Sequence, residues 1–165
     1  DVYAHISNVI LENKVSRDQA KLITLCALYG QSPSNLKKSL PESVSPNIVI
    51  RKTREFFSAQ DLERILQSDM REGNLRNALG RPLELTQNDK RLLVSYFLQS
   101  SAAELSILSF SNWYNINKSS AKPLYIIHDA LIVDCDKKLA RDLIDQQTLM
   151  LSVGDWKFEA KVSRF

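Results

Sequence analysis

Asp129 lies in the segment 123–135, P-L-Y-I-I-H-D-A-L-I-V-D-C, where two apolar, β-branched-rich runs flank a His-Asp pair. Short apolar runs of this kind predict buried strands, with His128-Asp129 as the turn of a hairpin. A carboxylate held there suits a hard cation such as Mg²⁺, which takes oxygen ligands and keeps positions for water and phosphate. The same residue also suits an Asx-type turn, in which Asp129 bonds its own backbone. Two further patterns have helical spacing. Arg17, Lys21, Leu25 and Tyr29 recur every four residues, so one side of a helix is basic at its start and aromatic at its end. Arg91, Ser95 and Gln99 repeat that spacing as a polar stripe on an otherwise apolar helix. The small residues 100–103 follow at once and admit close approach of another backbone. A solvated Arg91 and a satisfied buried amide at Gln99 are the plainer account of this stripe.

The elements that must position these groups follow from local signals. Val2, Ile6, Val9 and Ile10 predict a short amphipathic helix over residues 1–13. Ser16 with Gln19 three residues later forms a capping-box pattern, opening a helix to about Tyr29 that Gly30 stops. Prolines 33, 41 and 46 then impose loops around a short helical piece at residues 35–40. Ser45-Pro46 opens a helix to about Phe57, and another spans residues 60–71 before Gly73. Residues 74–86 alternate around Gly80-Arg81-Pro82, which predicts a hairpin. Asn88 caps a long helix to about Trp113, and residues 115–122 form a polar loop. After the 123–135 hairpin come a helix over 137–151, a Gly154-Asp155 turn and a closing strand over 156–164. Helices dominate the first half and strands cluster in the second, so the class is α+β.

A chain of 165 residues can bury a sizeable interior as one domain or two small lobes. A net charge of +3 does not by itself define a nucleic-acid partner, and leaves room for a basic groove on a mixed surface. Cys26 and Cys135 sit in apolar surroundings without metal-ligand spacing, as packing residues of an intracellular protein. No apolar run approaches the roughly 18 residues of a membrane helix, so no membrane is expected. The chain opens on Asp1 rather than methionine, which suggests a piece of something longer.

Taken in order, these segments resemble the carboxyl-terminal region of family A DNA polymerases, the bacterial polymerase I and T7-like phage enzymes. Arg17-x-x-x-Lys21 with Tyr29-Gly30 resembles motif B on that family's fingers helix. Arg91 through Glu104, with L-Q-S-S-A-A-E, resembles the segment that usually ends Q-G-T-A-A-D, and His128-Asp129 resembles motif C, usually H-D-E. Gly80-Arg81 resembles the G-R-R hairpin before the glutamine helix.

The resemblance implies a fingers-like helical region over residues 1–73. It also implies a palm-like region over 74–165, with an antiparallel sheet and a long helix. It implies that Arg17 and Lys21 contact the triphosphate of an incoming deoxynucleotide, with Lys21 acting in catalysis, and that Tyr29 borders the templating base. Arg91, Ser95, Gln99 and His128 then match groups along the DNA primer–template, and Asp129 matches one of two catalytic aspartates holding a Mg²⁺ pair. It also implies a bacterial or phage-infected cytoplasm rather than an organelle. The chain departs from the pattern at Leu25 for Phe or Tyr, Ser95 for Asn and Ala130 for Glu. Motif A, which carries the other aspartate, has no match, so it is expected from an upstream segment or a separate subunit, and the chain alone is expected to be inactive. These departures also admit a polymerase-derived module that binds primer–template or a replication partner without chemistry.

Overall fold

The computed structural model describes residues 1–30, 32–85, 92–127 and 129–164. The class is α+β, with seven α-helices, one π-helical turn and four strands among the described residues. By compactness the chain forms two units, Asp1–Leu98 and Gln99–Phe165, divided inside one long helix.

The first unit opens with α1 (Val2–His5), capped by Asp1, and continues as the π-helical turn Ile6–Ile10. Helix α2 (Arg17–Tyr29) begins at the expected capping box, with Ser16 Oγ accepting from Gln19 N at 3.2 Å and Gln19 Oε1 from Ser16 N at 2.8 Å. It ends at Gly30, whose φ of 68° is the left-handed geometry that glycine reaches without strain. Helices α3 (Pro33–Lys37), α4 (Pro46–Phe56) and α5 (Ala59–Arg71) follow. The short helix starts earlier than expected because Ser32 caps it, accepting from Ser34 N, with Pro33 in the first turn. Ile23, Ala20 and Cys26 of α2 pack in one core with Ile6, Leu36 and Val49. Arg54 of α4 bridges three helices, donating from Nη1 to the Ala27 carbonyl at 2.8 Å and from Nη2 to Glu63 at 2.7 Å.

Residues 74–86 do not form the expected two-stranded hairpin within the described part. One antiparallel bridge, Arg76 to Pro82, stands in its place. Pro82 has no N–H to extend a ladder, and the Asn77 side-chain carbonyl takes the N–H groups of Leu79 at 3.0 Å and Arg81 at 2.9 Å. This loop packs Leu75 against Leu66, Leu93 and Val94.

Helix α6 (Leu93–Asn117) runs past the expected end at Trp113 and takes up part of the expected 115–122 loop. Asn117 Nδ2 closes its last turn by donating to the Trp113 carbonyl at 2.8 Å. Strands β1 (Ala121–Ile127) and β2 (Ala130–Cys135) then pair antiparallel as expected, with Ile127 opposite Ala130 and a bulge between Pro123 and Tyr125. Ala121 is buried, but the apolar run that follows is not. Leu124, Tyr125, Ile126 and Ile127 are all exposed and residues 131–133 are half-buried, because pairing two strands edge to edge does not cover the faces of their sheet.

Helix α7 (Lys137–Gln146) is capped by Asp136, which accepts from Leu139 N at 2.8 Å; that bond holds the Asp136 carboxyl below the usual range. It stops short of the expected Leu151. Gln147 turns left-handed at φ 58°, and Thr148–Val153 becomes strand β3, paired with β4 (Trp156–Lys161) across the expected Gly154-Asp155 turn. No helix among the described residues is long and apolar enough to cross a membrane.

The connection between the π-helical turn and α2 carries an electrostatic signature. Glu12 and Asn13 hold φ of 56° and 59°, a conformation that non-glycine residues rarely adopt. Lys14 and Lys52 bind the Glu12 carboxylate at 2.6 and 2.7 Å, and these hydrogen bonds bring its pKa from 4.5 to about 2. A carboxylate lowered on folding contributes stability that is present above its unfolded pKa and lost as pH falls through the folded one. The melting-temperature gap between the wild type and Glu12→Gln should therefore hold from pH 7 to about 4.5, then close toward pH 2. Because the group is exposed, salt should narrow the gap at every pH. A gap that stays constant down to pH 2 would remove Glu12 from this linkage.

Candidate functional site

Helix α2 presents its buried side, Ala20, Ile23, Thr24, Cys26 and Ala27, to the core. The opposite side carries the expected site residues because four-residue spacing keeps them on one face. Lys21 is exposed and has no ion pair among the described residues, while Leu25 and Tyr29 are half-buried further along. Leu25 thus stands between the cation and the aromatic as an aliphatic surface.

Arg17, at the start of the same face, is engaged. Its Nε and Nη2 donate to one oxygen of Asp1, at 2.8 and 2.6 Å, and Nη1 lies 3.4 Å from Asp18. The guanidinium also sits 5.7 Å from the centre of the Tyr3 ring, within cation–π range. Asp1 and Tyr3 are site residues that sequence pattern missed. Asp1 is 16 positions from Arg17, and only the fold of the π-helical turn back onto α2 brings them together.

Ser95 and Gln99 lie one helical turn apart on α6, Ser95 buried and Gln99 exposed. Asp129 is exposed in the turn between β1 and β2. Arg91 and His128 lie outside the described residues. Arg17, Lys21, Tyr29 and Ser95 belong to the first compact unit, Gln99 and Asp129 to the second.

Asp129 offers hard oxygen donors suited to Mg²⁺, which is commonly held by one or two carboxylates together with substrate phosphates. No group of three or more His, Cys, Asp or Glu side chains able to hold a metal occurs among the described residues. Asp129 by itself could supply one oxygen ligand to a hard cation. Cys26 and Cys135 form no disulfide, and burial pushes both thiols up, the behaviour of packing residues rather than nucleophiles. Neither models of known protein families nor curated proteins give a match to this chain.

Proposed function

We propose that the chain is part of a template-directed DNA polymerase of family A type, extending a primer with deoxynucleotides. It acts with an upstream segment or a separate subunit that carries the second catalytic aspartate. The reading rests on the ordered motifs of the sequence, and the observation that supports it best is Asp129 in the turn of an antiparallel hairpin. Lys21, with Arg17 beside it, would meet the triphosphate, Tyr29 the templating base, and Gln99, with Arg91 and His128, the primer–template, while Ser95, being buried, would support the helix rather than touch DNA. Mg²⁺, held in part by Asp129, supplies neutralisation of phosphate charge and activation of the primer hydroxyl when bound. A cation on an exposed helical face suits the chain's share of this work, because charge spreads over the phosphoryl oxygens as the bond to the leaving group breaks.

A second reading, a module that grips primer–template without chemistry, is favoured by Ala130, where a carboxylate beside Asp129 would complete the motif. Lys21→Ala separates the two. In the polymerase completed with the aspartate-bearing segment, it should lower nucleotide use by about 10- to 100-fold, the worth of one charge-assisted hydrogen bond. Primer–template affinity should change by less than about twofold, because the loss of one exposed charge is worth little elsewhere. Equal losses in both assays, or none in either, would return Lys21 to an ordinary solvated face.

A further inference from the structure

We propose that Asp1 latches Arg17: its carboxylate occupies the guanidinium edge that a triphosphate must win before Arg17 can serve the site. This rests on the nucleotide-binding reading of α2 and specifies how that face is regulated. The two donors that Asp1 engages, Nε and Nη2, form the fork with which arginine grips carboxylates and phosphates alike. An oxyanion is therefore already in the place of the ligand.

The latch is built so that only one partner moves. Asp1 Oδ1 accepts from Tyr3 N at 2.8 Å and Ala4 N at 3.1 Å, capping α1 independently of Arg17. Losing Arg17 leaves that oxygen anchored. Arg17 has the long, flexible stem, and its side chain remains 52% exposed, so the guanidinium can swing away into solvent or onto a ligand. Charge explains why a latch matters at this point. Asp1 and Asp18 both contact Arg17, so these three side chains carry a net charge of −1, and Lys21, one turn later, only brings that count to zero. Lys21 is exposed without an ion pair among the described residues, so it makes the first phosphate contact and Arg17 exchanges second.

The test titrates inorganic tripolyphosphate into the 165-residue chain by calorimetry at low salt. Asp1→Asn keeps an efficient helix cap but gives up the charge. It should tighten binding about two- to fivefold, the range of an exposed ion pair, and the gain should shrink as salt is added. Lys21→Ala should weaken binding in the same assay. In an Arg17→Ala background the gain from Asp1→Asn should disappear, because nothing is left to release.

Binding that depends on Lys21 but is unchanged or weaker in Asp1→Asn overturns the latch and leaves the phosphate site standing. A gain that survives in Arg17→Ala also overturns it, showing simple repulsion by Asp1. Tripolyphosphate that binds no form, or binds without regard to Lys21, overturns both the latch and the nucleotide-binding face.

Discussion

Under the proposed polymerase reading, Asp129→Asn is expected to reduce Mg²⁺-dependent primer extension by at least about 100-fold, more than the loss of an outer partner of a metal ligand. The measurement is single-turnover extension by the polymerase completed with the segment or subunit that supplies the other aspartate. The substitution is close to isosteric, and asparagine suits the same kind of turn, so shape and local structure are retained. What disappears is one anionic oxygen ligand, and with it the attraction for a hard divalent cation. Asp129 is exposed, so no buried network breaks, and stability should shift by less than about 0.5 kcal/mol. Primer–template affinity measured without Mg²⁺ should not fall. Full extension by Asp129→Asn would assign Asp129 to an Asx turn and place the metal elsewhere. The chain alone should extend nothing in Mg²⁺ or Mn²⁺, since a two-metal displacement needs carboxylates on both sides of the pair. Extension by the pure chain would show that the second carboxylate lies within it.

The parts of the fold that were legible in the sequence are those set by neighbours in the chain. Ser16, Gln19 and Gly30 define both ends of α2 through bonds spanning only a few residues. The turns at Asp129 and Gly154-Asp155 likewise follow from short polar interruptions of apolar runs. What failed depends on distant partners. Residues 148–151 continue the apolar content of α7, and only pairing with β4 across the turn makes them a strand. The apolar character of β1 predicts burial, but burial needs a facing layer, which composition cannot supply. At the candidate site, spacing placed Arg17, Lys21 and Tyr29 on one face of one helix. It could not show that Arg17 is held by Asp1, because that contact depends on a π-helical turn and two left-handed residues.

The face that carries Lys21 is only as well placed as the opposite face of α2 is packed. Ile23 is fully buried in the first unit's core, and Ile23→Ala should cost about 2–5 kcal/mol through lost transfer energy and the cavity left behind. Alanine's better helix propensity returns at most a few tenths of a kcal/mol, so packing decides the sign. Leu22→Ala, one residue away but 43% exposed, should stay within about 0.5 kcal/mol and serves as the control. Because the chain has two compact units, a single denaturation midpoint would mix their responses. Cys26 supplies a local probe, since it is buried in the same core as Ile23 while Cys135 is only half-buried. Labelling of Cys26 by a thiol reagent requires that core to open, so its rate follows the local stability. Ile23→Ala should accelerate the slow labelling phase by about 30-fold or more, the equivalent of at least 2 kcal/mol. The fast phase, from Cys135, should be unchanged. Acceleration of less than about threefold would mean that Ile23 does not hold α2 in place, and that the Lys21 face is supported by contacts other than the α2 core.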